Sequence, residues 1–295
     1  MSKICLPAKS VVQPISFSPP TLACDSHVHV FGPFSRYPLS EDRSYTPGEY
    51  SANDFLEHLS RIGFSRGVLV TASVCGTNNG AILEALQVFP RIFRGIVVCN
   101  NDVTDDELDQ WHALGVRGIR FNLLQKNGQA VYRNGVGLEV LEAIAPRMVA
   151  RGWHAQIWVH APDLPELSPR LLRLGLPLVI DHMGRMDTVH GIHRPGFQHL
   201  YRMVSDGTAW VKISGADRIR AQYSHYDDVD AFASALIKAN LERIVWGSDW
   251  PHINYFDEKA IPDDGDLTNL LLRWLPHEKQ REQVLVTNPA ILYDF

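Results

Sequence analysis

What this 295-residue chain lacks narrows its role first. No block of lysine and arginine runs along it: 28 basic residues face 33 acidic ones, mixed throughout, for a net charge of −5. Such a chain has no electrostatic footprint for a phosphate backbone, so nucleic acid is not an expected partner. No apolar run approaches membrane-spanning length. Met1–Pro20 lacks the apolar centre of a signal peptide. The 4 cysteines, Cys5, Cys24, Cys75 and Cys99, show no Cys-x-x-Cys spacing. Three lie near apolar segments, which suggests reduced core cysteines in a cytoplasmic protein. There is no Gly-x-Ser-x-Gly elbow for a serine nucleophile.

What is present is 45% apolar residues, ample for a sizeable core. Short β-branched runs recur at Ala23–Val30, Arg66–Thr71, Phe93–Cys99, Val116–Phe121, His154–His160, Pro177–Asp181, Ala209–Ser214 and Arg243–Asp249. Amphipathic helical patterns separate them: Ala52–Ile62, Gly80–Phe89, Asp105–Leu114, Leu138–Ala150, Leu164–Leu174, Gly196–Ser205 and Tyr226–Asn240, with a last one over Leu267–Val286. Eight alternations of strand and helix predict an α/β fold, a closed (β/α)8 TIM barrel. An open doubly wound sheet is disfavoured, because no Gly-rich phosphate loop follows the first strand. No linker or repeat splits the chain. Residues 1–20, rich in Pro and Ser, read as an N-terminal extension, and 21–295 as one domain.

In such barrels the active site gathers at the C-terminal strand ends. Strand one ends in His27-Val-His29, and residues two apart on a strand share a face. Later strands run into Ser73, Arg120-Phe-Asn122, Trp158-Val-His160, Asp181-His182-Met-Gly-Arg185 and Ser214-Gly-Ala-Asp-Arg218. Strand eight ends in Gly-Ser-Asp249-Trp-Pro-His252-Ile-Asn254. Separate structural reasons are needed for each polar end; one shared site explains them together. Strand eight closes against strand one, so Asp249 is expected opposite His27 and His29, with no cation to neutralise it. A carboxylate of that kind can take a proton from water, while imidazoles polarise a carbonyl or ligate a metal. Arg120, Arg185 and Arg218, with Lys126 as a fourth cation, imply a small anionic substrate carrying carboxylates.

The His-x-His pair, Arg120-Phe-Asn122, Asp-His-Met-Gly-Arg at 181–185 and Trp-Gly-Ser-Asp-Trp-Pro-His at 246–252 together resemble the amidohydrolase superfamily (amidohydrolase-related family 2). Within it the chain is similar to the lactonase branch typified by 2-pyrone-4,6-dicarboxylate lactonase, from about Asp25 to Tyr293. Connecting segments agree as well: Val-Phe-Gly-Pro at 30–33, Gly-Val-Arg-Gly-Ile-Arg-Phe-Asn at 115–122, Ile-Pro-Asp-Asp-Gly at 261–265 and Leu-Val-Thr-Asn-Pro at 285–289. The resemblance implies a distorted barrel and a lactone hydrolase, a carboxylic ester hydrolase of aromatic-compound catabolism that needs no cofactor. It implies Asp249 as the base that activates water, and His27, His29 and His182 as polarising groups on the lactone carbonyl. Tyr45, Ser73, Arg120, Arg185, Arg218, His252 and Asn254 would contact substrate oxygens. Lys126 stands where the lactonase branch has an arginine, and a lysine loses the bidentate fork.

Two departures keep alternatives open. Trp158 replaces a tyrosine, and His160 replaces an acidic residue. With His160, the set His27, His29, His160, His182 and Asp249 reads as a mononuclear Zn site. A Zn-dependent hydrolase or decarboxylase, a sugar-acid lactonase, a lactone isomerase and a non-enzymatic anion-binding barrel therefore remain, and a homo-oligomer is compatible with all of them. On the structural side, His160 fits a loop hydrogen bond, Arg185 and Arg218 fit pairs with Asp187 and Asp217, and Trp246 and Trp250 fit packing. His58, His112, His154, His190, His193, His199, His225 and His277 fit solvated or capping positions, without a role in the site.

Overall fold

Each apolar run becomes one stave of a barrel. The computed structural model describes residues 2–126, 129–131, 134–220 and 225–295, with side chains undescribed at 126, 129 and 130. Its strands are β1 (Cys24–Val28), β2 (Arg66–Val70), β3 (Phe93–Val97), β4 (Val116–Asn122), β5 (His154–Trp158), β6 (Leu178–Ile180), β7 (Ala209–Lys212) and β8 (Ile244–Val245). They form one 8-stranded parallel sheet in chain order. The loop after β8 closes it on β1 through Ser26 N to Trp246 O, Asp249 N to His27 O and His29 N to Trp250 O, each 2.9 Å.

Outside, the helices pack on the outward residues of the strands, such as Leu69, Ile119, Ile157 and Val211. Local signals set their ends. Ser51 and Thr104 cap helices Ala52–Ile62 and Asp105–Leu114 in capping boxes with Asp54 and Glu107. Gly63 (φ 72°) ends the first in the left-handed region, where a side chain is strained. The run expected as one helix over Leu267–Val286 divides into Asp264–Trp274 and Glu278–Glu282, and Pro276, which has no N–H to donate, lies in the gap.

Inside, the barrel has two storeys. The floor is apolar: Cys24, Val68, Val70 and Ile96 pack on Tyr293 from the C-terminal helix Asn288–Tyr293. The upper storey is polar. In β1 a register shift between Asp25 and Val28 breaks strict alternation, and Cys24 and His27 both face the interior. Residues before Cys24 cross the barrel rim: Lys3–Ile4 pair in parallel with Tyr45–Thr46, and Gln13 N bonds Asp263 Oδ1 at 2.9 Å. Among the described residues, no helix is long and apolar enough to cross a membrane.

Candidate active site

The strand ends converge as their order requires. Nine of the residues singled out from the sequence line one cavity at the C-terminal mouth: His29, Tyr45, Arg120, Trp158, His182, Arg185, Arg218, Asp249 and Asn254, joined by Ile253. His27 sits directly behind it, its ring 5.1 Å from that of His29 and 4.6 Å from that of His182. Glycines make the approach feasible. A Cβ at Gly247 would lie 2.6 Å from His27 Cβ, and one at Gly215 would lie 2.8 Å from His182 Nδ1. Asp249, His252 and Asn254 all have positive φ, so the loop after β8 is a backbone held by its surroundings rather than by intrinsic preference.

Asp249 is the centre. Its Oδ1 faces His27 Nε2 at 3.6 Å and His29 Nε2 at 3.4 Å. His29 is oriented by Nδ1, which donates to Val70 O at 2.7 Å and so turns Nε2 toward the carboxylate. The expected lack of a neutralising cation is corrected here: Arg218 Nε and Nη2 both donate to Asp249 Oδ2, at 3.0 and 2.8 Å. Sequence spacing alone hides this pair, because residues 218 and 249 meet only through the β7 and β8 loops. Burial opposes ionisation of Asp249, but Arg218 and the neighbouring histidines outweigh it and hold the carboxyl well below the usual range. Burial pushes His182 down to about 4 although Asp249 and Asp181 pull it upward, so its ring is neutral at pH 7. Its Nδ1 contacts Ser214 Oγ at 3.0 Å.

The arginines take different posts. Arg120 lies over the Trp158 ring at 4.7 Å, and its Nε donates to buried Asp181 at 3.2 Å. Arg218 also contacts Asp217 at 3.4 Å and lies over the Tyr255 ring at 4.6 Å. Arg185 donates to the backbone oxygen of Arg218. Three guanidinium groups thus border one small cavity.

Other expectations fall elsewhere. His252 turns from the cavity and bonds Asp264 Oδ1 through Nε2 at 2.7 Å. His58, expected to be solvated, is buried beside the other oxygen of Asp264 at 3.7 Å and stacks on Trp250. His154, read the same way, is buried against Tyr293. Ser73 is buried in a helical turn after β2 and does not line the cavity. The side chain of Lys126 lies outside the described residues. For metal binding, His27, His29 and Asp249 form one compact donor group, and His27, Asp181 and His182 another; His160 belongs to neither. Two imidazoles with a carboxylate suit zinc.

Sequence reasoning missed the layer beneath. Gln156 and Lys212, both fully buried, join Asp181 and His27 inside the barrel. The available signal was a glutamine and a lysine at interior positions of otherwise apolar strands.

Comparison with known proteins bears on the family and the fold. The amidohydrolase family profile matches residues 24–295. A 4-sulfomuconolactone hydrolase of Rhizobium radiobacter is 38% identical, over 95% of this chain and 92% of the relative. A 2-pyrone-4,6-dicarboxylate hydrolase of Comamonas testosteroni is 33% identical, over 94% and 92%. An apo crystal structure from Agrobacterium tumefaciens superposes with a TM-score of 0.80 at 26% identity, covering 95% of this chain and 98% of that one.

Proposed function

We propose, from the premise that this chain belongs to the amidohydrolase family, that it opens an anionic lactone by hydrolysis. The substrate class is a ring carrying carboxylate or sulfonate groups, as the names of its relatives suggest, and the setting is the breakdown of aromatic compounds. The observation that carries this reading is Asp249: a buried carboxylate with one oxygen facing two imidazoles and the other held by an arginine at an arginine-lined cavity.

The chemistry follows from those positions. Water beside Asp249 Oδ1 loses its proton to the carboxylate as it attacks the lactone carbonyl carbon. Imidazole N–H groups at His27 and His182 stabilise the oxygen as it gains charge. The ring C–O bond then breaks, and the proton on Asp249 passes to the departing oxygen. Arg120, Arg185 and Arg218 hold the substrate anions. Arg218 has a second effect. While it grips Asp249 the carboxylate is a weak base; a substrate anion that draws the guanidinium away strengthens it. Substrate binding thereby arms the base.

Zinc, held by His27, His29 and Asp249, would supply an acidified water to the same attack. The test is a panel of dicarboxylate, sulfonated and sugar-acid lactones, each assayed with added zinc and with chelator. Hydrolysis releases acid that titrates one proton per turnover, and isomerisation releases none. The expected result is proton release from a ring bearing two anionic groups. A panel without acid release from any ring would sink the reading.

A further inference from the structure

Behind His27 lies a polar layer that lines no part of the cavity. Lys212 is fully buried there. Its Nζ donates to Ser26 O at 2.8 Å and Gln156 Oε1 at 2.7 Å, and stands 3.2 Å from His27 Nδ1. An ammonium has three protons and no lone pair. Two are spent on oxygens that can only accept, so the third is directed to the imidazole nitrogen. Gln156 Nε2, also a donor, lies 3.5 Å from the same nitrogen. Two donors meeting Nδ1 require it to accept. The rival is Asp181 Oδ1, an acceptor 3.3 Å from Nδ1, but it lies off the direction a ring N–H would take, whereas the Lys212 Nζ contact is shorter. The ring proton is therefore left to Nε2, which is buried, has no hydrogen-bond partner and lies 3.6 Å from Asp249 Oδ1.

We propose that Lys212 is a positioning residue that locks His27 in its Nε2–H tautomer, so that the ring presents a fixed donor to the oxygen of the bond under attack. The target of that donor rests on the lactone reading; the tautomer does not. Lys212 also stands 3.7 Å from Asp181 Oδ1 and shares its neutralisation with Arg120, which, like Gln156, donates to the other oxygen, at 3.2 and 3.1 Å. The lock also has a consequence for metals. A proton on Nε2 occupies the lone pair with which His27 would bind one, so that proton must leave before a metal is held there.

The tautomer can be read directly in protein labelled with 15N-histidine, from two-bond correlations of ring nitrogens with ring carbon-bound protons at neutral pH. Signals of His27 are assigned by their loss in His27→Gln. The wild type is expected to show a bare Nδ1 and a protonated Nε2. Finding the proton on Nδ1 overturns the proposal without any variant at Lys212. In Lys212→Met the ring is free to turn its proton onto Nδ1, toward Asp181. Turnover should then fall about a hundredfold with KM changed less than about threefold, the signature of an interaction made in the transition state. A folded Lys212→Met with its His27 tautomer unchanged also overturns it. If the wild type shows the Nε2–H pattern but opens no lactone, the substrate reading fails alone.

Discussion

Asp181 and Asp249 stand after β6 and β8, and both are buried ionised carboxylates, yet they differ in what can reach them. Burial opposes the charge on each, and nearby cations overcome it on each. Asp181 is enclosed by Arg120, Gln156, His27 and Lys212, and no part of it lines the cavity. Asp249 keeps one oxygen toward the cavity and rests the other on a single arginine that also lines it. A strongly depressed carboxyl is thus no sign of catalysis by itself. An oxygen open to substrate, with a counter-ion that substrate can compete for, separates the two.

The sharpest way to break this comparison is to neutralise each carboxylate in turn. Asp249→Asn should lower kcat by about 10³- to 10⁴-fold, the loss expected for a general base, with the fold intact by circular dichroism. A fully active variant refutes its role. Asp181→Asn should instead act on stability, by about 3–5 kcal/mol in denaturant unfolding, because it strands buried Lys212 and Arg120 without their shared anion. If Asp181→Asn leaves stability unchanged, the enclosed pair is not structural and the contrast collapses.

Acid sharpens the same contrast through His182, which touches both carboxylates electrostatically. Its pKa is depressed from 6.5 to about 4 in the folded protein, so between those values the unfolded chain binds more protons. Stability should therefore fall as pH drops from 6.5 toward about 4, at about 1.4 kcal/mol per pH unit for this one group. His58, pushed down to about 4 by burial, adds a like slope from outside the site. Denaturant unfolding across this range should show a slope reduced by about one proton in His182→Gln relative to wild type. An unchanged slope would mean that His182 is not buried neutral.

Much of this was legible in the sequence, and the rest was hidden for physical reasons. All eight strands coincide with apolar runs because a parallel sheet covered on both faces has no polar face to interrupt it. His27, His29, His182 and Asp249 were legible as a group because barrel order places strand ends side by side. The Arg218–Asp249 pair was not, since loop conformations with positive φ decide it and no spacing reports them. Strand eight reads as Arg243–Asp249 but ends at Val245 for the same reason: the chain leaves the ladder early to turn Asp249 inward. His252 follows that same turn and ends against Asp264 instead of the cavity. Lys212 and Gln156 carry polar side chains into a strand interior, where they bond each other, Ser26 of β1 and Asp181 just after β6.

Arg120 belongs to both halves of the comparison, and Trp158 decides how it is shared. Its Nε donates inward to Asp181, while the guanidinium lies over the Trp158 ring and lines the cavity. An indole face holds a partly desolvated guanidinium by about 0.5–2 kcal/mol. Trp158→Leu removes that platform but leaves the Asp181 bond, so Arg120 stays paired and is placed at one end only. The expected effect is small and confined to binding: KM for an anionic lactone rises by about 3- to 10-fold with kcat unchanged. A variant that loses kcat instead would show that Trp158 acts on the bond-breaking step, and Arg120 would then count with Asp249 and not with Asp181.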